Sequence, residues 1–373
     1  MNPDIDFSQL PPLAQKAIAP DTPLPLKMMA AKGVLPGAKP SDVVTVVVIL
    51  GQSESEDVSS TAQATLKNLP KPVLDGAFGN QLAKGVLSAL SEQFYDKPEV
   101  VEKLLRQTAI GGASLEFLAE RATERIGEII ATNERLMLAN PRVIEKLYMN
   151  KRVRMSTADR LMELAVRNRI ELDIPAFKEV AAAIRNELVS EPTDEPTFDD
   201  VLFNEIDSFA AVVSPVVIEE DTHEPDDEGQ EIVKEKFVPL YRQIAQMTVT
   251  QKIRRAMLGT AAERLLLIRD SNRLVSTAVA KSPLLKENEA VLISASRAMS
   301  DDVLRVIATN REFTRNYQIK YNLIVNPRTP FTFASRLIPH LREADLKSLV
   351  KSKNVTSSVV QAIRQQLERK KKD

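Results

Sequence analysis

The sequence contains no cysteine and no tryptophan, and only two of its 373 residues are histidine and 11 are glycine. Without cysteine there are no disulfides, thiolate-bound zinc sites, iron–sulfur clusters or cysteine nucleophiles. Two histidines, His223 and His340, argue against a histidine-rich metal site or a Ser-His-Asp triad. Glycine usually makes up about 7% of a protein, so its scarcity disfavours phosphate-binding loops and turn-rich β folds.

Few motifs of enzymes remain to be considered. Neither G-x-x-x-x-G-K-[ST] nor H-E-x-x-H occurs. Catalysis by carboxylates alone is the enzymatic alternative, but it normally needs an aromatic-lined cleft, and aromatic residues make up only 5% of the chain. We therefore expect a protein with no catalytic residue, no metal site and no small-molecule cofactor.

The net charge of −1 hides a strong division of charge along the chain. Residues 1–185 carry equal numbers of basic and acidic side chains. Residues 186–231 carry 16 acidic side chains and no basic one, whereas residues 232–373 carry 27 basic and 12 acidic side chains. Such asymmetry is typical of a linker or an interaction segment beside a charged domain.

The acidic segment, residues 190–233, is predicted to be a largely disordered linker because Pro, Asp, Glu and Thr dominate both of its ends. It contains an apolar island, residues 201–218. Either this island docks on the parent domain, or it is a short partner-binding motif within the linker. The residues of this candidate motif are Phe203, Ile206, Phe209, Val212 and Val213.

Short amphipathic helices are predicted through most of the rest of the chain, with apolar residues at i, i+3, i+4 and i+7. Asn140-Pro141 and Asn326-Pro327 are typical helix starts. Two longer helices are predicted at 114–138 and 237–258. Residues 1–40, with eight prolines, are predicted to be an irregular lead-in.

Residues 43–50, VVTVVVIL, are ambiguous because β-branched residues favour a buried strand. No partner strands of the same kind lie nearby, so a buried helix is the preferred interpretation. This run is also far shorter than the ~20 apolar residues that span a membrane. With no secretory signal at the N-terminus, we expect a cytoplasmic protein without an integral membrane segment.

An internal duplication is visible in the sequence. The tetrad IATN at 130–133 recurs at 307–310, an offset of 177 residues. With a gap of one residue, a second block then matches at an offset of 176. In this block the matching pairs are Asn150 with Asn326, Arg152 with Arg328, Ala158 with Ala334, Arg160 with Arg336 and Leu161 with Leu337.

With its short helices, Asn-Pro starts and duplication, the chain resembles the HEAT/armadillo class of α-helical repeat proteins. The segment VNPRTPFTFASRLIPHL is also similar to the N-P-x-T-P opening of degenerate bacterial helical repeats. The resemblance implies an all-α fold, a right-handed α-solenoid of short antiparallel helix pairs in units of roughly 35–45 residues. The expected domains are a helical array at 41–189 and a basic helical array at 234–373, two sub-arrays that the acidic linker separates.

The class implies a non-enzymatic scaffold or adaptor for protein partners. The opposite charges of the two neighbouring segments further predict that the acidic linker shields the basic array. The alternative is a nucleic-acid-binding protein of HEAT-like fold that contacts phosphates, with DNA repair as one such role. Three interpretations of the basic side chains stay open: a solvated face, a docking site for the linker, or a site for nucleic acid or an anionic membrane. The candidate basic residues are Lys151, Arg152, Arg154, Arg160, Lys252, Arg254, Arg255, Arg311, Arg315, Arg328 and Arg336.

Overall fold

The computed structural model describes residues 10–185, 222–225 and 231–370, and almost all of its regular structure is helical. Contacts within the chain divide it between Leu172 and Asp173 into two units. The helices of the first unit are α1 (Pro12–Ile18), α2 (Leu24–Ala31), α3 (Pro40–Leu50), α4 (Glu56–Lys67), α5 (Lys71–Ala77), α6 (Lys84–Phe94), α7 (Pro98–Leu105), α8 (Gly112–Arg121), α9 (Glu124–Ala131), α10 (Glu134–Ala139), α11 (Pro141–Tyr148) and α12 (Met155–Arg167).

The second unit begins with α13 (Phe177–Ile184) and has a small antiparallel hairpin, in which His223 of β1 (His223–Pro225) pairs with Val233 of β2 (Glu231–Val233). Its remaining α-helices are α14 (Val238–Ala245), α15 (Val249–Leu258), α16 (Ala261–Leu267), α17 (Arg273–Ala280), α18 (Glu287–Ala295), α19 (Asp301–Thr309), α20 (Tyr317–Val325), α21 (Phe331–Leu337), α22 (Glu343–Lys351) and α23 (Ser357–Arg369). Short 3-10 turns lie at Glu235–Phe237, Phe313–Arg315 and Ile338–His340.

The all-helical prediction is confirmed for the described residues, including the ambiguous run at 43–50. This run lies in α3, where Pro40 occupies the first position and the side chain of Asp42 accepts a hydrogen bond from the Lys39 amide. Contacts with α1, α2, α4 and α5 bury nearly every side chain of the helix. Burial on all sides outweighs the weak helix propensity of valine.

Two predicted helices are divided in the structure. The segment 114–138 forms α8, α9 and α10. The break between α9 and α10 lies at Asn133, whose side chain caps α10 by accepting a hydrogen bond from the Leu136 amide. The segment 237–258 forms α14 and α15, because Thr248 and Gln251 make a reciprocal capping box at the start of α15. The first backbone amides of a helix have no partner within that helix, whereas in a continuous helix they would bond to the preceding turn. A side chain that caps such amides therefore marks the start of a new helix.

The predicted irregular lead-in is wrong for residues 12–18 and 24–31, which form α1 and α2. Proline starts or flanks both helices, at positions where its missing N–H costs nothing. Ala14, Ala17, Ala30 and Ala31 are fully buried, and they join the same core cluster as the valines of α3.

Helix α13 lies in the predicted N-terminal array at 41–189, but it packs against α15 and α17 of the second unit. The carboxylate of Glu179 on α13 forms an ion pair with the Lys281 ammonium, with Oε1 and Nζ 2.7 Å apart. The predicted linker contributes the two short strands of the hairpin, whereas its apolar island lies outside the described residues.

Most helices pack both on the next helix and on the next but one. In the first unit this pattern joins α1 with α3, α2 with α4, α6 with α8 and α7 with α9. In the second unit it joins α15 with α17, α16 with α18, α17 with α19, α18 with α20 and α19 with α21. Among the described residues, no helix combines the length and apolar character needed to cross a bilayer.

The predicted helix start at Asn326-Pro327 is wrong, because Asn326 ends α20 and the next helix begins at Phe331. The Asn326 amide is instead buried and fastens the end of α18. Its Nδ2 donates to the carbonyls of Ser294 (3.0 Å) and Ser296 (2.8 Å), and its Oδ1 accepts from the Arg328 amide (3.0 Å). The helix start predicted at Asn140-Pro141 is confirmed by α11.

Asn150, the sequence counterpart of Asn326, makes the same kind of contact in the first unit. Its Nδ2 donates to the carbonyls of Ala119 (3.0 Å) and Ala122 (2.9 Å) at the end of α8, and its Oδ1 accepts from the Arg152 amide (2.9 Å). The surrounding elements also occur in the same order. Helices α8, α9, α10, α11 and α12 correspond to α18, α19, the turn Phe313–Arg315, α20 and α21.

We predict that Asn326→Ala destabilises the protein by about 1–3 kcal/mol, because two carbonyls near the end of α18 lose their donor in a buried position. Denaturant unfolding monitored by circular dichroism measures the change. Asn354→Ala is the matched control, since Asn354 is exposed. Equal unfolding midpoints for the two variants would show that the Asn326 contact contributes little.

Candidate interaction surfaces

The basic residues predicted for the first unit divide into an exposed pair and a paired set. Lys151 and Arg152 are exposed. Arg154 at the start of α12 pairs with Glu124 of α9, with Nε and Oε1 2.6 Å apart, and its side chain is only 14% exposed. Arg160 pairs in the same way with Glu128, at 3.2 Å. These two arginines therefore hold α12 against α9.

Arg254 and Arg255 do not belong to a basic surface, because both side chains are completely buried. Their helix, α15, is enclosed by α13, α16 and α17, so it has hardly any solvent-facing side. Arg255 pairs with Glu263, with Nε and Oε1 2.8 Å apart. The other carboxylate oxygen of Glu263 accepts from the Thr260 amide at 2.6 Å, within a capping box at the start of α16.

A second buried arginine pair lies beside the first. Arg264 donates two parallel hydrogen bonds, from Nε and Nη2, to the carboxylate of Glu289 on α18, at 2.8 and 2.7 Å. Its third guanidinium nitrogen, Nη1, donates to the Gly259 carbonyl at 2.8 Å. Gly259 is tightly enclosed, because a β-carbon there would lie 2.5 Å from the Arg255 carbonyl oxygen. This network fastens the turn between α15 and α16, and it holds two arginines, Arg255 and Arg264, inside the fold.

Four predicted basic residues of the second unit remain exposed: Arg311, Arg315, Arg328 and Arg336. Arg315 pairs with Glu312 at 2.9 Å while both side chains stay more than 70% exposed, and Arg328 lies 3.8 Å from Asp301. Pairs of this kind are worth little because water screens them. These four arginines therefore remain accessible to a partner.

The aromatic residues of the second unit serve both packing and surface roles. Phe313 is buried, whereas Phe331 is 47% exposed. The Tyr317 hydroxyl donates to the Asp345 carboxylate and accepts from the Arg342 amide. Burial, followed by the bond to Asp345, raises the pKa of Tyr317 above its usual value. These contacts tie the start of α20 to the start of α22.

An aromatic–arginine cluster, formed by Tyr95, Phe117 and Arg121, lies at the end of α6 and on α8 in the first unit. The Tyr95 and Phe117 rings meet edge to face, with centroids 6.1 Å apart. The Arg121 guanidinium lies 4.1 Å from the centre of the Phe117 ring. Tyr95 is 37% exposed and the Arg121 side chain 45% exposed. Sequence patterning missed this cluster, because its members are 22 and four residues apart and meet only when α6 packs on α8.

An open cleft of about 470 Å³ lies in the second unit, and we call it the Lys252 cleft. At its base, Lys252 of α15 pairs with Asp270, with Nζ and Oδ2 2.8 Å apart. Lys252 is thus the one residue of the predicted basic set that lines this cleft. The lining residues are His223, Val233, Tyr241, Ile244, Ala245, Lys252, Leu266, Arg269, Asp270, Ser271 and Ala298.

A shallower groove of about 360 Å³ lies in the first unit and includes Thr132 and Asn133 of the duplicated IATN tetrad. The candidate linker motif, from Phe203 to Val213, lies outside the described residues. Compared with known proteins, the chain matches no protein family, no curated protein sequence and no solved structure. The geometry of its own residues therefore carries the functional argument.

We predict that Glu289→Ala destabilises the protein by about 3–5 kcal/mol, because it leaves the buried Arg264 guanidinium without its carboxylate. The double variant Arg264→Leu/Glu289→Leu should recover a large part of this loss, because it removes both charges. Thermal and denaturant unfolding measure both effects. Glu312→Ala, which breaks the exposed pair with Arg315, is the control and should cost less than about 1 kcal/mol. If the double variant is as unstable as Glu289→Ala, the loss of stability does not come from an unpaired charge on Arg264.

Proposed function

We propose that this protein is a non-enzymatic α-solenoid scaffold that binds other proteins, and that the aromatic–arginine cluster is one of its binding surfaces. The cluster is the observation that carries the proposal. Tyrosine and arginine are enriched among the residues that dominate the energy of protein–protein interfaces. Here the two residue types project from neighbouring helices α6 and α8 around a shared phenylalanine, which holds them in place.

The solenoid architecture is supported by the way the helices pack. Stacking on the next helix and on the next but one is what solenoid repeats require, because a single helix pair cannot bury its own apolar faces. The related contacts of Asn150 and Asn326 support the duplication seen in the sequence. Gln107 makes a similar contact, since its side chain donates to the carbonyls of Phe78 and Asn80 and accepts from the Leu82 amide.

The spacing of these amide contacts favours shorter repeats than the resemblance to HEAT/armadillo proteins implies. Gln107, Asn150 and Asn326 bond to carbonyls that lie 27 to 32 residues earlier in the chain. We propose a repeat of that order, in place of the 35–45 residues typical of the HEAT-like interpretation. Two to three short helices make up each such unit.

A protein partner is favoured over nucleic acid because much of the predicted basic surface is used inside the molecule. Arg154 and Arg160 are paired between helices, and Arg255 is buried against Glu263. A protein that binds the phosphate backbone through a groove needs many accessible cations, since each contact releases a counterion.

Protein binding through the aromatic–arginine cluster is tested by co-purification from the native cell after nuclease treatment. We expect Tyr95→Ala/Arg121→Ala to lose proteins that the wild type retains, with a binding loss of about 2 kcal/mol or more. Both residues are partly exposed, so the fold should be preserved. Phe331→Ala, which removes an exposed aromatic residue of the second unit, should retain them. If the wild type and both variants retain the same proteins, the aromatic–arginine cluster is not a protein-binding surface. If the wild type captures only material that nuclease removes, nucleic acid is the favoured partner.

We also propose that the acidic segment shields the remaining basic residues of the second unit. The strands of the hairpin belong to this segment, and two of their residues, His223 and Val233, line the cleft that contains Lys252 and Arg269. Glu224 and Glu231 of these strands belong to the same acidic segment. Opposite charges attract each other strongly at low ionic strength, where screening is weak.

Neutralising the acidic segment tests this shielding. Replacing the Asp and Glu residues of 191–221 with Asn and Gln keeps the length of the chain, and we expect it to raise the salt concentration at which the protein elutes from heparin. A control with the same number of substitutions spread over the exposed acidic residues of the first unit should shift elution less. Equal shifts would show only an effect of net charge and would contradict specific shielding.

A further inference from the structure

The aromatic–arginine cluster borders on a group of basic side chains at the end of α8. The loop that follows α11 is fastened at this point, because Asn150 donates to the carbonyls of Ala119 at 3.0 Å and Ala122 at 2.9 Å. The two residues after Asn150 are basic and exposed, so they lie beside the end of the helix that carries Arg121. We call this group the basic rim, and its members are Arg121, Lys146, Lys151 and Arg152.

The charges of the basic rim are weakly compensated. Glu120 is shared by two of its members, because Oε2 of this carboxylate lies 3.7 Å from Arg121 Nη1 and 3.8 Å from Lys146 Nζ. Both distances are longer than a hydrogen bond, and one exposed carboxylate cannot neutralise two cations. Among the described residues, no carboxylate forms an ion pair with Lys151 or Arg152.

Arg121 belongs both to the basic rim and to the aromatic–arginine cluster. Its guanidinium lies over the Phe117 ring, 4.1 Å from the centre, and the Tyr95 ring meets Phe117 edge to face. Stacking of a guanidinium on a ring positions the group without using its N–H donors. Arg121 can therefore donate to a carboxylate of a partner whose apolar side chain rests on the neighbouring rings.

Acidic residues occupy the adjacent part of the same surface. Glu92 on α6 and Glu116 on α8 lie about one helical turn before Tyr95 and Glu120, respectively. A nucleic acid carries a negative charge on every nucleotide and would meet these carboxylates as well as the basic rim. A short peptide can place its carboxylates at the basic rim alone. Base stacking also requires an open ring face, and Arg121 covers one face of Phe117.

From this arrangement we infer that the protein partner of the aromatic–arginine cluster binds through a short acidic segment that contains an aromatic or large aliphatic residue. The apolar side chain packs on Tyr95 and Phe117, and the carboxylates of the segment lie at the basic rim. Complementary charge then selects the partner and fixes the orientation of the segment. The inference rests on the proposed protein-binding function and adds to it the chemistry of the bound segment.

Selection of random dodecapeptides displayed on phage tests this chemistry on the immobilised full-length protein. The same selection on Tyr95→Ala/Arg121→Ala identifies the peptides whose capture depends on the aromatic–arginine cluster. We expect these peptides to combine an aromatic or large aliphatic residue with two or more Asp or Glu residues, at a higher frequency than in the unselected library. The most enriched of them is then synthesised with a fluorophore and titrated by anisotropy.

Reversal of charge at the basic rim tests the role of its cations. Lys151→Glu/Arg152→Glu should weaken binding of the labelled peptide about tenfold or more, because it places like charges opposite the peptide carboxylates. Lys151→Gln/Arg152→Gln should cause a smaller loss in the same direction. Lys32→Glu/Lys67→Glu is the matched control, since it makes the same change of net charge at two exposed residues of the first unit, and it should weaken binding less than about threefold. Unchanged unfolding midpoints verify that all variants are folded.

Three results would overturn the inference. These are the absence of any displayed peptide that depends on the aromatic–arginine cluster, cluster-dependent peptides that are not enriched in Asp and Glu, and a charge reversal that acts no more strongly than the control. If dodecathymidylate displaces the labelled peptide at a lower concentration than the unlabelled peptide does, the surface belongs to nucleic acid and the inference is wrong.

Failure of the inference is distinguishable from failure of the proposed function. Cluster-dependent peptides without acidic residues would overturn the acidic chemistry and leave protein binding by the aromatic–arginine cluster intact. Protein binding by the cluster fails when Tyr95→Ala/Arg121→Ala retains every protein that the wild type captures from the native cell.

Discussion

The ends of short helices impose the constraint on which the rest of this structure depends. Every α-helix leaves about four N–H groups and four carbonyls without partners inside the helix, and a helix of eight residues consists largely of such ends. Packing these ends into a folded unit requires donors and acceptors from elsewhere. Asn150, Asn326 and Gln107 provide them between helices, while Asn133, Thr248 and Thr260 provide them at helix starts.

The same constraint explains how charge is used. In the second unit, three arginines lie inside the fold, and Glu263 serves both as the partner of Arg255 and as part of the cap of α16. A charged side chain is buried only where a partner and hydrogen bonds offset the loss of water. Burial of ion pairs therefore lowers the number of cations that a partner meets but leaves the net charge of the second unit unchanged, and many of its basic side chains, among them Arg311, Arg328 and Arg336, remain exposed.

Much of the fold followed from local sequence patterns, and the errors have physical causes. The periodicity of apolar residues predicted the helices, including the valine-rich α3. It could not divide 114–138 into three helices, because the apolar stripe continues across the breaks and only Asn133 marks one of them. The candidate basic surface was harder to predict from the sequence than the helices. Arg154, Arg160 and Arg255 resemble solvent-facing cations in sequence, and their carboxylate partners lie 30, 32 and eight residues away.

By itself, the sequence determined the helical class, the start of α11, the position of the acidic segment and the correspondence between Asn150 and Asn326. These depend on local propensity, on composition and on comparison of the chain with itself. Tertiary structure alone decided that α13 packs with the second unit, that Tyr95 meets Phe117, and that Lys252, Arg269 and Asp270 line one cleft. Contacts of this kind depend on how helices pack across distances that no sequence period encodes, so they become visible only in three dimensions.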